Sequence, residues 1–73
     1  MSDAQESMKR VTDVVSLCLG DFVQARLQDG QTIYDGEVES VDFQHGFLCI
    51  RHGALKERKL LDASEYEIWW RPL

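Results

Sequence analysis

The sequence predicts a mostly β domain with one N-terminal α-helix, followed by a five-stranded, strongly bent antiparallel barrel. Three observations support this prediction. Apolar residues recur with a helical period before Gly20 and with a period of two after it. Short turns separate the alternating segments, which favours antiparallel neighbours. A small bent sheet also removes exposed edges most easily by closing on itself. The length of 73 residues fits a single domain over residues 1–73.

The predicted helix covers about residues 3–19. Ser2 and Asp3 are suitable N-cap residues, and Gly20 stands where a left-handed C-cap belongs. The helical face is the set of residues spaced by three or four positions: Ala4, Met8, Val11, Val15 and Cys18. We expect this face to pack on its own domain, with contact to another subunit as the alternative.

The predicted barrel covers about residues 21–72. Asp29-Gly30 marks a tight turn after the first strand, and Gly36 suggests a bulge or bend within the second. The inward parity slips between Val38 and Val41, which a bent strand explains. Pro72 ends the last strand. The predicted strands lie at 23–27, 31–42, 47–52, 54–61 and 67–71.

Composition restricts the class of protein. Apolar residues make up 44% and charged residues 29% of the chain, as in folded soluble domains, and the formal net charge is −5. No apolar run is long enough for a membrane span, and no secretory signal is visible, so we expect a cytoplasmic protein without membrane contact. The acid excess lies before residue 51 and disfavours generic DNA or RNA coating. We expect no cofactor and no metal, since the cysteines have no zinc-site spacing.

The stretch from Val23 to Ile50 resembles the first motif of Sm-like proteins, a family of small SH3-like barrels. The matching features are an alternating apolar strand, the Asp29-Gly30 turn, Gly36 and Asp42. The segment GEVESVD is similar to the bacterial RNA chaperone Hfq. The layout over about residues 13–70 is similar to Rof, the Sm-like inhibitor of the termination factor Rho. The resemblance implies a barrel that works in RNA metabolism.

The chain departs from the Sm pattern where that family binds RNA. Gly46 stands where uridine-binding members have an asparagine, and a glycine cannot hydrogen-bond a base edge through a side chain. The Arg-Gly pair of the second Sm motif is replaced by DASEYEI before the last strand. The resemblance therefore carries the fold but not the family's RNA pocket.

The last strand supplies the main candidate binding residues. Its alternation places Tyr66, Ile68 and Trp70 on one face and Trp69 and Arg71 on the other. Exposed tryptophan and arginine are typical of interfaces, so we predict partner contact through Trp69 and Arg71. Two interpretations of Trp69 stay open, an exposed contact and a side chain covered by the N-terminal helix.

Two further groups are candidates. His45 lies in the loop that lines the pore of ring-forming Sm proteins, which the resemblance makes a partner-binding residue. Arg51, Lys56 and Arg58 form a candidate phosphate patch, with a solvated strand face as the alternative. The second predicted strand also carries an acidic cluster: Asp35, Glu37, Glu39 and Asp42. We expect these side chains to form a solvated face. An acidic docking surface is the second interpretation, and a metal or catalytic site is the least favoured.

These observations predict a non-catalytic Sm-like binding module that regulates RNA metabolism, through RNA or by docking to an RNA-binding protein. The alternative is a self-assembling SH3-like or Tudor-like module that binds proteins or peptides without RNA contact. No nucleophile–base pair or phosphate-binding glycine loop indicates an enzyme. We also expect a homo-oligomer, formed when the basic fourth strand of one copy pairs with the acidic start of the fifth strand of a neighbour.

Overall fold

A computed structural model describes residues 8–71 of the chain. These residues form one antiparallel sheet of six strands in the order β1-β6-β2-β3-β4-β5, and a single 3-10 turn at Val14–Ser16 lies between β1 and β2. The strands are β1 Lys9–Val11, β2 Phe22–Arg26, β3 Thr32–Asp42, β4 Phe47–His52, β5 Glu57–Asp62 and β6 Glu67–Arg71.

The predicted N-terminal helix is wrong over the part that the structure describes, since residues 8–71 contain no α-helix. The segment around Val11–Val15 is rich in β-branched residues, which lose side-chain freedom in a helix. The Asp13 carboxylate caps the start of the 3-10 turn by accepting a hydrogen bond from the Val15 N–H at 3.1 Å, and the turn ends at Leu17, where the backbone is extended again. Residues 3–7 of the prediction lie outside the described part.

The five-stranded barrel is also a wrong prediction. Each of the five predicted strands is present, but β1 adds a sixth strand beside β6, and the sheet is open. β1 pairs with β6 from Lys9↔Trp70 to Val11↔Ile68. The strand EIWWR therefore has a neighbour on each side, and it cannot offer the open edge that the predicted oligomer needs. Pro72 lies outside the described residues.

One face of the sheet carries the hydrophobic core. Val14 begins the 3-10 turn and Leu17 follows it, and both side chains are buried against this face. Val15 and Cys18 of the predicted helical stripe are exposed. Apolar burial is the main stabilising term in a domain of this size. The strand residues buried on this face are Val23, Ala25, Val38, Leu48, Ile50, Leu61 and Ile68.

The long strand β3 contains a bulge and a glycine contact at separate positions. The register with β4 shifts between Val38 and Ser40, so the parity slip in the sequence is a true bulge, and Glu39 is the extra residue. Gly36 is not the bulge. A Cβ at Gly36 would overlap the carbonyl group of Arg51, so this glycine permits close approach of β3 and β4.

Candidate functional site

The outer face of β6 and β2 presents aromatic and arginine side chains on the side opposite the core. Alternation places Trp69 and Arg71 of β6 on this face, and register places Gln24 opposite Trp69 and Phe22 opposite Arg71. Arg26 follows on the same side of β2. We call this surface the aromatic face, and it consists of Phe22, Gln24, Arg26, Trp69 and Arg71.

Each aromatic ring of this face carries a guanidinium group. The Arg26 guanidinium carbon lies 4.5 Å from the Trp69 ring centre, and that of Arg71 lies 4.2 Å from the Phe22 ring centre. The side-chain amide oxygen of Gln24 accepts hydrogen bonds from Arg26 Nε at 3.0 Å and Nη2 at 2.7 Å, and these bonds hold the guanidinium over the Trp69 ring. Each ring of the face is thus in contact with a guanidinium from the neighbouring strand.

The two tryptophans have different roles, as the alternation of β6 predicts. Trp70 packs against the core cluster with Tyr66, whereas Trp69 lies half-buried on the outer face. β1 lies beside β6 within the sheet, so no helix of residues 8–71 covers Trp69. The Trp69 Nε1 donates to the Glu67 carboxylate at 3.3 Å, and Arg10 lies 3.6 Å from the same carboxylate. The side chain of Trp69 is therefore partly exposed, with Arg26 over its ring and no helix of residues 8–71 above it.

Acidic side chains border the aromatic face on β3. Register places Asp35 opposite Gln24 and Glu37 opposite Phe22. Glu37 is exposed, and it forms no ion pair with any residue in the range 8–71. A ligand on the aromatic face therefore meets an uncompensated carboxylate at one side.

The two arginines of the predicted phosphate patch are brought together, and they share one carboxylate. Arg51 and Arg58 are direct cross-strand neighbours on β4 and β5, and Glu39 of the β3 bulge lies between them. The Glu39 carboxylate accepts from Arg51 Nη2 at 2.8 Å and from Arg58 Nε at 3.1 Å and Nη2 at 3.3 Å. Desolvation raises the pKa of Glu39, but the arginine hydrogen bonds and charges outweigh it, so the pKa lies below its ordinary value.

Lys56 lies outside the strand that carries Arg58, whereas the sequence predicted both in one strand at 54–61. β5 begins at Glu57, and Lys56 lies in the preceding turn with a φ of 57°. Its carbonyl oxygen accepts from Arg51 Nη1 at 3.2 Å. Lys56, Arg51 and Phe22 line one shallow cleft of about 140 Å³ together with Glu37, which leaves this cleft without a strong positive field. In this cleft Arg51 and Lys56 face the acids Asp35 and Glu37, and Arg58 is not part of its lining.

His45 lies in the turn between β3 and β4, apart from the other predicted contact residues. Its Nδ1 lies 2.9 Å from the Asp42 carboxylate, and its ring stacks on Phe47. The hydrogen bond from His45 lowers the pKa of Asp42. Asp42 is five residues beyond Glu37 on β3, a separation of roughly 17 Å along a strand. The structure does not bring His45 to Trp69 and Arg71.

Sequence reasoning missed the half of the aromatic face that lies on β2. Phe22, Gln24 and Arg26 alternate with the core residues Val23 and Ala25, and this alternation was visible in the sequence. Pairing of β2 with β6 was the missing information, since it is this pairing that puts Arg26 on Trp69.

Other candidate sites are weak. A second open cleft of about 290 Å³ lies between β1 and the turns that precede β4 and β6, with Phe43, Ala63 and Tyr66 in its wall. Within residues 8–71 no three His, Cys, Asp or Glu side chains cluster in a way that could hold a metal ion. The same residues contain no helix of the length and apolarity needed to cross a membrane.

Comparison with known proteins found no matching family model, no matching curated protein and no matching solved structure.

Proposed function

We propose that this protein is a non-catalytic binding module that acts in RNA metabolism by docking to an RNA-binding protein. The observation that carries the proposal is the aromatic face, where Trp69 and Phe22 lie on the outside of the sheet beneath the guanidiniums of Arg26 and Arg71. Tryptophan and arginine dominate the energetics of protein interfaces because they combine large apolar area with directional hydrogen bonds.

Charge favours a protein ligand over RNA. The net charge of −5 repels a phosphate backbone, and Asp35 and Glu37 border the aromatic face directly. Among residues 8–71, the arginines that cluster beyond this face, Arg51 and Arg58, both bind the Glu39 carboxylate. A basic surface that normally holds RNA is complementary to this border, so the module would compete with RNA for its partner.

The assignment to RNA metabolism comes from the resemblance of Val23–Ile50 to Sm-like proteins. The binding surface itself is argued from the arrangement of β2 and β6 and does not need that resemblance. The two parts of the proposal can therefore fail separately.

The first experiment measures whether purified protein binds RNA. Fluorescently labelled U-rich and A-rich oligonucleotides are titrated with the protein at low salt, and anisotropy is recorded. We expect no saturable binding. Binding that weakens steeply with added salt would contradict the protein-docking proposal, because such a slope reports displaced phosphate counterions.

A further inference from the structure

β5 is an edge strand with an unpaired side. It pairs with β4 on one side from Phe47↔Asp62 to His52↔Glu57, and no strand within residues 8–71 pairs with the other. Leu60 projects from it with 69% of its side chain exposed, on the same sheet face as Arg58 and Asp62. An edge of this kind accepts another strand unless charge or shape prevents it.

The backbone groups that are free on this edge follow from the ladder. The Ala63 N–H donates to the Gly46 carbonyl at 2.9 Å, one step beyond the Phe47↔Asp62 pair. Hydrogen-bonded pairs alternate in an antiparallel ladder, so the odd-numbered residues of β5 face β4. The N–H and carbonyl groups of Arg58, Leu60 and Asp62 therefore point to the open side. The Asp62 carbonyl already accepts a hydrogen bond from the Glu65 N–H at 2.9 Å, so a strand that pairs with this edge would share that carbonyl with Glu65.

We propose that two copies of this chain associate through antiparallel pairing of their β5 strands, with Leu60 opposite Leu60 on the two-fold axis. This register places Arg58 of each copy opposite Asp62 of the other, so two opposite-charge pairs flank one apolar pair. The interface is isologous and closes at a dimer.

The side chains of Arg58 and Asp62 can each make further hydrogen bonds at the ends of this register. Asp62 Oδ1 accepts from Ser64, and among residues 8–71 no donor contacts Asp62 Oδ2. Arg58 holds Glu39 through Nε and Nη2, which leaves Nη1 for a second carboxylate. Glu39 and Asp62 of the second copy would then bind opposite sides of one guanidinium.

The neighbouring registers are less favourable. A shift that centres the axis on Lys59 places two ammonium groups opposite each other and pairs Arg58 with Leu60. A shift that centres it on Leu61 pairs Leu60 with Asp62 and leaves Arg58 without an acidic partner. Of these three registers, only the one centred on Leu60 pairs opposite charges and pairs apolar residues on the outer face of β5.

The test is sedimentation equilibrium of the full chain over a range of concentrations. We expect the mass to rise from the 8.4 kDa of one chain towards twice that value. Leu60→Asp should weaken association by more than about tenfold, because two carboxylates would face each other on the axis. Leu55→Asp is the matched control, since Leu55 is 83% exposed but lies in the turn before β5 and should not change association.

A mixing experiment tests the register itself. Arg58→Asp places acids at both ends of the edge and Asp62→Arg places bases at both ends, so each variant alone should stay monomeric. An equimolar mixture should form a heterodimer, because both pairs between positions 58 and 62 then join opposite charges. Circular dichroism confirms that each variant is folded.

Three results would overturn the proposal. The wild-type chain could remain at 8.4 kDa throughout, the two leucine variants could associate equally, or the mixed charge variants could fail to combine. None of these changes lies on the aromatic face, so failure here leaves the docking proposal intact.

Discussion

Two adjacent leucines in β5 give a sharp test of which side of the sheet carries the core. Leu61 is 1% exposed and lies opposite Leu48, whereas Leu60 is 69% exposed on the outer face. Leu61→Ala should lower the free energy of unfolding by about 2–5 kcal/mol through lost burial and the cavity left behind. Leu60→Ala should change it by less than about 0.5 kcal/mol.

The predicted difference is large for this protein. A domain of 73 residues has a total stability of about 4–11 kcal/mol at the usual value per residue. At about 4–8 °C per kcal/mol, Leu61→Ala should lower the Tm by roughly 10 °C or more. Urea unfolding and thermal scans of both variants, at concentrations where the chain is monomeric, measure this. Equal losses for the two leucines would refute the assignment of the core face.

Three other perturbations test local features. Gly36→Ala should cost about 1–3 kcal/mol, because the new methyl group overlaps the Arg51 carbonyl; an unchanged urea midpoint would contradict the close approach of β3 and β4. Glu39→Gln tests the ion pairs with the two arginines. The pKa of Glu39 is lowered in the folded state, so these pairs stabilise the fold at pH values above the usual pKa of about 4.5, and this stabilisation is lost as pH falls through the folded pKa. The Tm of the wild type should therefore exceed that of Glu39→Gln at neutral pH, with the gap closing in acid, and a gap independent of pH would exclude this role. His45→Ala should raise the pKa of Asp42 towards its ordinary value in an NMR titration, since the His45 hydrogen bond holds it down; an unmoved titration curve would show that the contact does not persist in solution.

The sequence predicted the strands because their alternation is local information. The pattern in FLCIRH defined β4 at the same bounds that the structure has, Phe47–His52. The parity slip between Val38 and Val41 marked the irregular part of β3, although the sequence assigned the bulge or bend to Gly36 and the structure has the bulge at Glu39. In each case the side-chain period and the turn residues specify the strand without reference to distant contacts.

The N-terminal segment could not be assigned by the same reasoning. Its apolar spacing fits a helix, whereas the β-branched residues around Val11 favour a strand. The pairing of this segment with the free side of β6 decides between them, and that pairing is a contact between distant parts of the sequence. The same limit applies to the site. Trp69 and Arg71 were visible in β6, whereas Phe22 and Arg26 joined them only through the β2–β6 register.

The central claim is that the aromatic face docks an RNA-binding protein. Wild-type protein and two variants are immobilised and exposed to nuclease-treated lysate of the native host, and bound proteins are eluted with RNA. Trp69→Ala/Arg71→Ala removes one ring and one guanidinium of the face, and Phe43→Ala removes a side chain that is 64% exposed in the β3–β4 turn. We predict that the wild type and Phe43→Ala retain an RNA-binding protein that RNA displaces, and that the double variant loses it while remaining folded. Equal retention by the double variant would contradict the claim.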